Sequence, residues 1–419
     1  MAGEDTTLKT GKPWRRGALV RDPGEGHRAA TPLELFFDLC FVVAVAQLTV
    51  SLEHAYATDH LADAVVGFPM LMFAIWWAWM GFTWFATAHD SDDVPYRLLT
   101  LLQMAGVLIL ASGVEKAFDG DTYRVVVFGY VVMRVALIAQ WLRVAREQPS
   151  VRGRAQRWAI GMGAVQVLWL LMVIPDSEAL FKAAFVPLML AEIAVPVWAE
   201  RSDSPGQWHI GHVTERYGLL TLIILGESVL AATIAVKDAA EHGVTASIVT
   251  VAAGGLVIAF GCWWLYFDTL GADSPEGSVR TFVWGYGHYV VFGSLAAFGG
   301  GLATAAAQVA GHGGDHPISE RTASLAIAVP LALFLLAVAV MSIRPNDPCG
   351  PNRLRQWAVA AVALVVMGAF LPPAPAAVVA GAVVAALVAI EVSTAHRRFV
   401  RGGAEEAGPE TAGANADGA

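Results

Sequence analysis

Two acids one helical turn apart sit inside an apolar run: Glu34 and Asp38 open the stretch ELFFDLCFVVAVAQ, which ends at Gln47. An i, i+4 spacing puts both carboxylates on one helix face. Carboxylates held together in an apolar setting make a proton- or cation-binding arrangement. The bland alternative suits Glu34 better than Asp38: an acid in the first turn of a helix caps its amino terminus. Gln47 lies deeper and points away from the Glu34–Asp38 face.

A second stretch, ERYGLLTLIILGESVL, runs from Glu215 to Leu230. Glu227 lies roughly 18 Å from Glu215 along a helix axis, close to the bilayer middle. Its alternative role is a helix-to-helix hydrogen bond. Arg216 is too far along the same helix to pair with Glu227. Thr214, Thr221 and Ser228 form a heptad-spaced polar seam, and Gly218 and Gly226 allow close helix approach. Arg134 falls midway through another apolar run and needs an acid. Asp38 and Glu227 are the expected partners, with Glu192 as the alternative. His288 is expected to face the same interior or to serve as a packed hydrogen-bond partner.

His209, His212 and Glu215 are spaced i, i+3, i+6, which is only partly convergent for a metal. No metal and no cofactor are expected. The segment His89-Asp90-Ser91-Asp92-Asp93-Val94-Pro95-Tyr96-Arg97 puts Asp90, Asp92, Asp93 and Arg97 between two apolar runs. It reads as a cation-attracting vestibule or gate, or as a solvated cap with Pro95 starting the next helix. His312, Asp315 and His316, in a Gly-rich loop, read as solvated.

The elements that must hold these residues are membrane helices. Of 419 residues, 56% are hydrophobic and 15% charged. A soluble domain is nearer 45–50% apolar and about 25% charged. The apolar residues fall in runs of about 20 residues with short polar punctuation. Spans are expected near 33–54, 62–86, 97–114, 122–143, 156–174, 178–199, 213–236, 245–268, 281–308, 323–342, 354–371 and 374–395. The fold class is therefore an all-α polytopic integral membrane protein of about twelve transmembrane helices. The last two spans, joined by Pro372-Pro373-Ala374-Pro375, form either a tight turn between crossings or a re-entrant hairpin.

With the amino terminus inside, 21 of the 27 Lys and Arg residues fall on the cytoplasmic side. That bias predicts a cell (inner, cytoplasmic) membrane protein with both termini cytoplasmic. Residues 1–30 read as a cytoplasmic basic tail without a cleaved signal peptide, and 397–419 as a disordered cytoplasmic tail. Between them, three landmarks recur in order: Glu34 and Glu215, Trp76-Trp77 and Trp263-Trp264, Arg97 and Arg280. These suggest two six-helix halves of the same orientation, 31–200 and 201–396.

The net charge of −9 argues against a nucleic-acid partner. Cys40, Cys262 and Cys349 have neither metal-type spacing nor a disulfide framework. There is no P-loop, no His-Glu-x-x-His, no Gly-x-Ser-x-Gly and no Cys-x-x-Cys, so no ATP-driven pump, zinc protease or serine hydrolase is signalled.

Three motifs together resemble the low temperature requirement protein A family of bacterial membrane proteins. They are Glu34-Leu35-Phe36-Phe37-Asp38-Leu39, Asp90-Ser91-Asp92-Asp93-Val94-Pro95-Tyr96-Arg97, and Glu215-Arg216-Tyr217-Gly218-Leu219 with Leu225-Gly226-Glu227-Ser228. The resemblance covers about residues 30–395 and implies fold and location; the family name reports a growth phenotype. A weaker resemblance is to the endosomal and lysosomal potassium-channel family, whose first helix carries Phe-Ser-Asp and whose chain has two six-span repeats. Here Phe36-Phe37-Asp38 has Phe in place of Ser, and Tyr217-Gly218-Leu219 has no acid.

The leading functional expectation is a transporter or channel for a small solute or cation using buried carboxylates, with the lipid bilayer as its surroundings. One alternative is a membrane-embedded enzyme acting on lipid or a lipid-linked substrate through His89, Asp90, His209 and His212. Another is a non-transporting stress or membrane-homeostasis protein. Oligomeric state is not legible in the sequence.

Overall fold

The computed structural model describes Trp14 and residues 29–58, 60–201, 208–242, 245–271, 278–311, 318–344 and 350–406. Most of the basic tail, the acidic carboxyl-terminal tail beyond Glu406, the loop with His312, Asp315 and His316, and Cys349 lie outside the described residues. Thirteen helices follow in order: α1 Pro32–Ala57, α2 Leu61–His89, α3 Val94–Ser112, the one-turn α4 Val114–Phe118, α5 Arg124–Glu147, α6 Arg152–Val173 and α7 Glu178–Ala199. They continue as α8 Ile210–His242, α9 Ala246–Tyr266, α10 Ser278–Ala310, α11 Glu320–Met341, α12 Gly350–Phe370 and α13 Pro373–Glu406. Among the described residues no strand occurs, and twelve helices are long and apolar enough to cross a membrane. The chain is an all-α polytopic membrane protein.

Three local features differ from expectation. The short α4 closes the turn after α3. A π-helical turn at Phe267–Gly271 extends α9. The helix α13 continues to Glu406, so the tail expected to be disordered from residue 397 begins as helix.

Local chemistry sets the helix starts. Thr31 and Glu34 form a capping box on α1: Thr31 N–H donates to Glu34 Oε2 at 2.8 Å, and Glu34 N–H donates to Thr31 Oγ1 at 3.3 Å. Asp93, Ser177, Thr245 and Ser319 cap α3, α7, α9 and α11 in the same way through a side-chain oxygen. Between the caps the surfaces are inside-out. On α1, Phe36, Leu39, Val43 and Val50 are exposed, while Glu34 and Asp38 are buried. Apolar side chains outside and charges inside suit a bilayer, where the surroundings are hydrocarbon.

Helix α1 packs against α2, α3, α8 and α10; α8 packs against α9 and α10; α3 lies along α5, and α10 along α11. Glycines permit the closest of these contacts. A side chain at Gly106 of α3 or Gly129 of α5 would meet the other's backbone oxygen at 2.8 and 2.6 Å. In α10 three consecutive glycines, about 100° apart around the helix, serve three neighbours. A Cβ on Gly299 would lie 3.5 Å from Ser228 Oγ of α8, and one on Gly300 3.2 Å from the Thr49 carbonyl of α1. One on Gly301 would overlap the Ala326 carbonyl of α11. Small residues let membrane helices gain van der Waals contact where no hydrophobic drive exists between them.

Candidate functional site

The first two turns of α1 and α8 meet through charge. Arg216 Nε donates to Asp38 Oδ2 at 3.0 Å, and its Nη2 donates to Asp38 Oδ1 at 2.5 Å. Trp79 Nε1 from α2 donates to Asp38 Oδ1 at 2.7 Å. Glu34 Oε1 stands 3.3 Å from Arg216 Nη1 and 3.4 Å from His212 Nε2. Thr87 Oγ1 donates to the Thr83 carbonyl at 2.8 Å, so it accepts from His212 Nδ1, 2.9 Å away. Glu34, Asp38, Thr87, His212 and Arg216 are all buried. Rings close around the cluster: Trp79 lies edge-on to Tyr217, and Tyr217 meets Trp284 and His288. A planar guanidinium answers a carboxylate with two parallel donors, which is the geometry that best offsets the loss of water.

The expected pairing of Arg134 with Asp38 or Glu227 does not occur. Arg134 Nη2 lies 3.3 Å from Glu192 Oε2 of α7 and donates to the Tyr130 hydroxyl. Trp77 Nε1 donates to Glu192 Oε2 at 2.9 Å, and the guanidinium sits 4.8 Å from the Tyr130 ring centre. The physical reason is lateral. Helix α5 packs on α2, α3 and α6, whereas Asp38 already faces Arg216 of α8. Estimated depth could not tell one neighbour from another.

The remaining sequence candidates fall in separate places. Glu215 Oε1 accepts from Ala30 N–H at 3.3 Å, tying the chain before α1 to α8. His288 is buried, facing the Tyr266 hydroxyl at 2.9 Å and the Trp284 carbonyl at 2.7 Å, outside the ion-pair cluster. Asp93 accepts from Tyr96 N–H at 3.0 Å and from Arg143 Nη1 at 2.8 Å. Arg97 Nε donates to Asp92 Oδ1 at 2.8 Å, and Asp92 N–H donates to Asp90 Oδ1 at 3.0 Å. The acidic loop thus caps α3 and ties it to α5. His212 N–H donates to His209 Nδ1 at 3.1 Å. Among the described residues no three His, Cys, Asp or Glu side chains are grouped to hold a metal ion.

Farther along α1 and α8 lies a cavity of about 240 Å³ between α1, α8 and α10. Glu227 lines it together with Glu53 of α1, a residue the sequence reading passed over. Both are half-buried, and neither makes a hydrogen bond or ion pair with a described residue. The rest of the wall is Thr49 and small or aliphatic side chains such as Ala46, Val50, Leu230 and Ala303. Ser228, next to Glu227, is buried with no partner for its hydroxyl. Glu53 sits near the end of its helix, beside His54, where an acid reads as interfacial. Its one sequence signal was a lone acid before the helix end.

Residues 29–392, nearly the whole chain, match the family described as bacterial low temperature requirement A protein. An uncharacterized protein of Rhizobium meliloti (strain 1021) is 27% identical over 302 residues, covering 66% of this chain and 69% of the relative. Twelve apolar helices enclosing buried acids and arginines, and a family match spanning nearly all of them, make this chain a multi-pass membrane protein of the bacterial low temperature requirement A (LtrA) family.

Proposed function

We propose that this protein carries a small cation across the membrane along the interface of α1, α8 and α10. One observation carries the reading: the cavity walled by Glu53 and Glu227, two carboxylates within membrane-spanning helices that form no ion pair with a described residue. Acids at membrane depth are costly and mark ion pathways. At the other end of the same interface, the Asp38–Arg216 pair with Glu34 and His212 is closed, with opposite charges in direct contact. A cavity at one end and a closed charged contact at the other suit alternating access.

In this reading the chain sits in the cell membrane with both termini in the cytoplasm, supported by the bias of basic residues. The halves 31–200 and 201–396 are same-orientation units that rock about the shared interface. Supporting that division, α1 packs on α2 and α3 as α8 packs on α9 and α10, and α3 lies along α5 as α10 lies along α11.

The test is a flux assay with purified protein in liposomes, across alkali cations and small organic ammonium ions. Folded wild-type protein should move at least one cation. Glu53→Gln and Glu227→Gln should each slow it by about tenfold, the cost of one lost charge-assisted contact. Folded protein that moves none of them overturns the proposal.

A further inference from the structure

The cavity of the proposed transport path has a wall chemistry that speaks to its occupant. Among the described residues, two carboxylates line it and no basic side chain does. His54, next to Glu53, and Lys237, farther along α8, are not among its walls. Apart from Thr49, whose hydroxyl donates to the Val45 carbonyl at 3.0 Å, the wall is aliphatic. A further polar group lies behind that wall. Ser228 Oγ is buried without a hydrogen-bond partner, and it abuts the notch left by Gly299, a wall residue, at 3.5 Å from the position a Cβ would take.

The ion pair fixes how the two acids are staggered. Helices α1 and α8 run parallel, since their second turns touch at Asp38–Arg216 and their later turns share the cavity. From Asp38 to Glu53 is about 22 Å of helix, and from Arg216 to Glu227 about 16 Å. Glu53 therefore lies about 6 Å beyond Glu227 along the helix direction.

A dehydrated metal ion fits this wall poorly, because it asks for six or more oxygen ligands and most of the wall is hydrocarbon. A single ammonium would leave one carboxylate uncompensated. An amino acid would bring a carboxylate that meets no cation. A molecule with an ammonium at each end and methylenes between them satisfies both acids and the aliphatic wall. At the ~30 Å³ that a water occupies, the cavity holds about eight waters, or a chain of a similar number of heavy atoms.

We propose that the cavity between Glu53 and Glu227 binds an aliphatic α,ω-diamine of roughly four to six carbons, one ammonium on each carboxylate. This rests on the transport reading of the same cavity and names its substrate class.

The experiment compares uptake of a radiolabelled four-carbon α,ω-diamine, butylamine and rubidium into liposomes carrying the full chain. The diamine should be taken up with an apparent affinity about tenfold or more above that of butylamine. Glu53→Gln and Glu227→Gln should each lower diamine affinity by about tenfold, to the level the wild-type protein shows for butylamine. Diamine affinity no better than that of butylamine, or rubidium flux without diamine flux, overturns the diamine assignment and leaves cation transport standing. No flux of any of the three overturns both. If the glutamine variants do not fold, the diamine-to-butylamine ratio of the wild-type protein decides alone.

Discussion

Arg216 and Asp38, 178 positions apart, form a two-pronged buried ion pair that fastens the second turn of α1 to the second turn of α8. It is the point from which the register of the two helices is set. Removing one partner leaves a buried charge unanswered, which costs ~3–5 kcal/mol. Arg216→Leu should therefore lose most folded protein, and Asp38→Leu added to it should restore part. Size-exclusion yield and thermal unfolding in detergent check this. A double variant no better than Arg216→Leu alone would show that the pair is not the element being lost.

The second buried arginine has its own partner. Arg134→Leu should lower the melting temperature, and Glu192→Leu in the same chain should recover part of it, because the two neutralise each other. Asp38→Leu should give no such recovery with Arg134→Leu. Rescue by Asp38→Leu and not by Glu192→Leu in the same melting assay would contradict the pairing seen here.

Gly301 tests the close crossing of α10 and α11. A Cβ there would overlap the Ala326 carbonyl, so Gly301→Val should sharply reduce monodisperse yield. At Gly153 in α6 a Cβ would meet nothing within 4 Å. Gly153→Ala should be neutral or stabilising by up to ~1 kcal/mol, from helix propensity alone.

Asp93 does two jobs, and two substitutions separate them. Asp93→Asn keeps an N-cap acceptor for Tyr96 N–H but removes the charge that faces Arg143. Asp93→Ala removes both, with the cap alone worth ~0.5–2 kcal/mol. Melting temperatures should fall in the order wild type, Asp93→Asn, Asp93→Ala. Equal values for the two variants would mean that the cap contributes nothing.

The proposed orientation puts Asp119, after α4, and Asp176, before α7, on the outer face. Cysteines introduced at these positions should react with a membrane-impermeant maleimide in intact cells. Reaction only after permeabilisation would invert the topology.

What the sequence determined by itself was the membrane class, the twelve apolar runs and most helix starts. Those are local properties. A hydrocarbon layer demands a run of about 20 apolar residues with its backbone bonds satisfied within the helix. Thr31 with Glu34, and Asp93 with Pro95, announce helix starts within a few residues of chain. The cost of burying Asp38, Arg134 and Arg216 was legible in the same way, because it depends on the residue and its flanks. Which charge answers which was decided only by the tertiary structure. Depth along a helix can be counted from sequence, but the direction a side chain faces and the helix it meets depend on how twelve cylinders pack. That is why Arg134 found Glu192 and not Asp38, and why Asp38 found Arg216. It is also why Glu53, a lone acid near the end of its helix, shares a cavity with Glu227 on a helix some 170 positions away. The crossings that build this interface turn on Gly299, Gly300 and Gly301, whose lack of side chains sets how near α8, α1 and α11 can come.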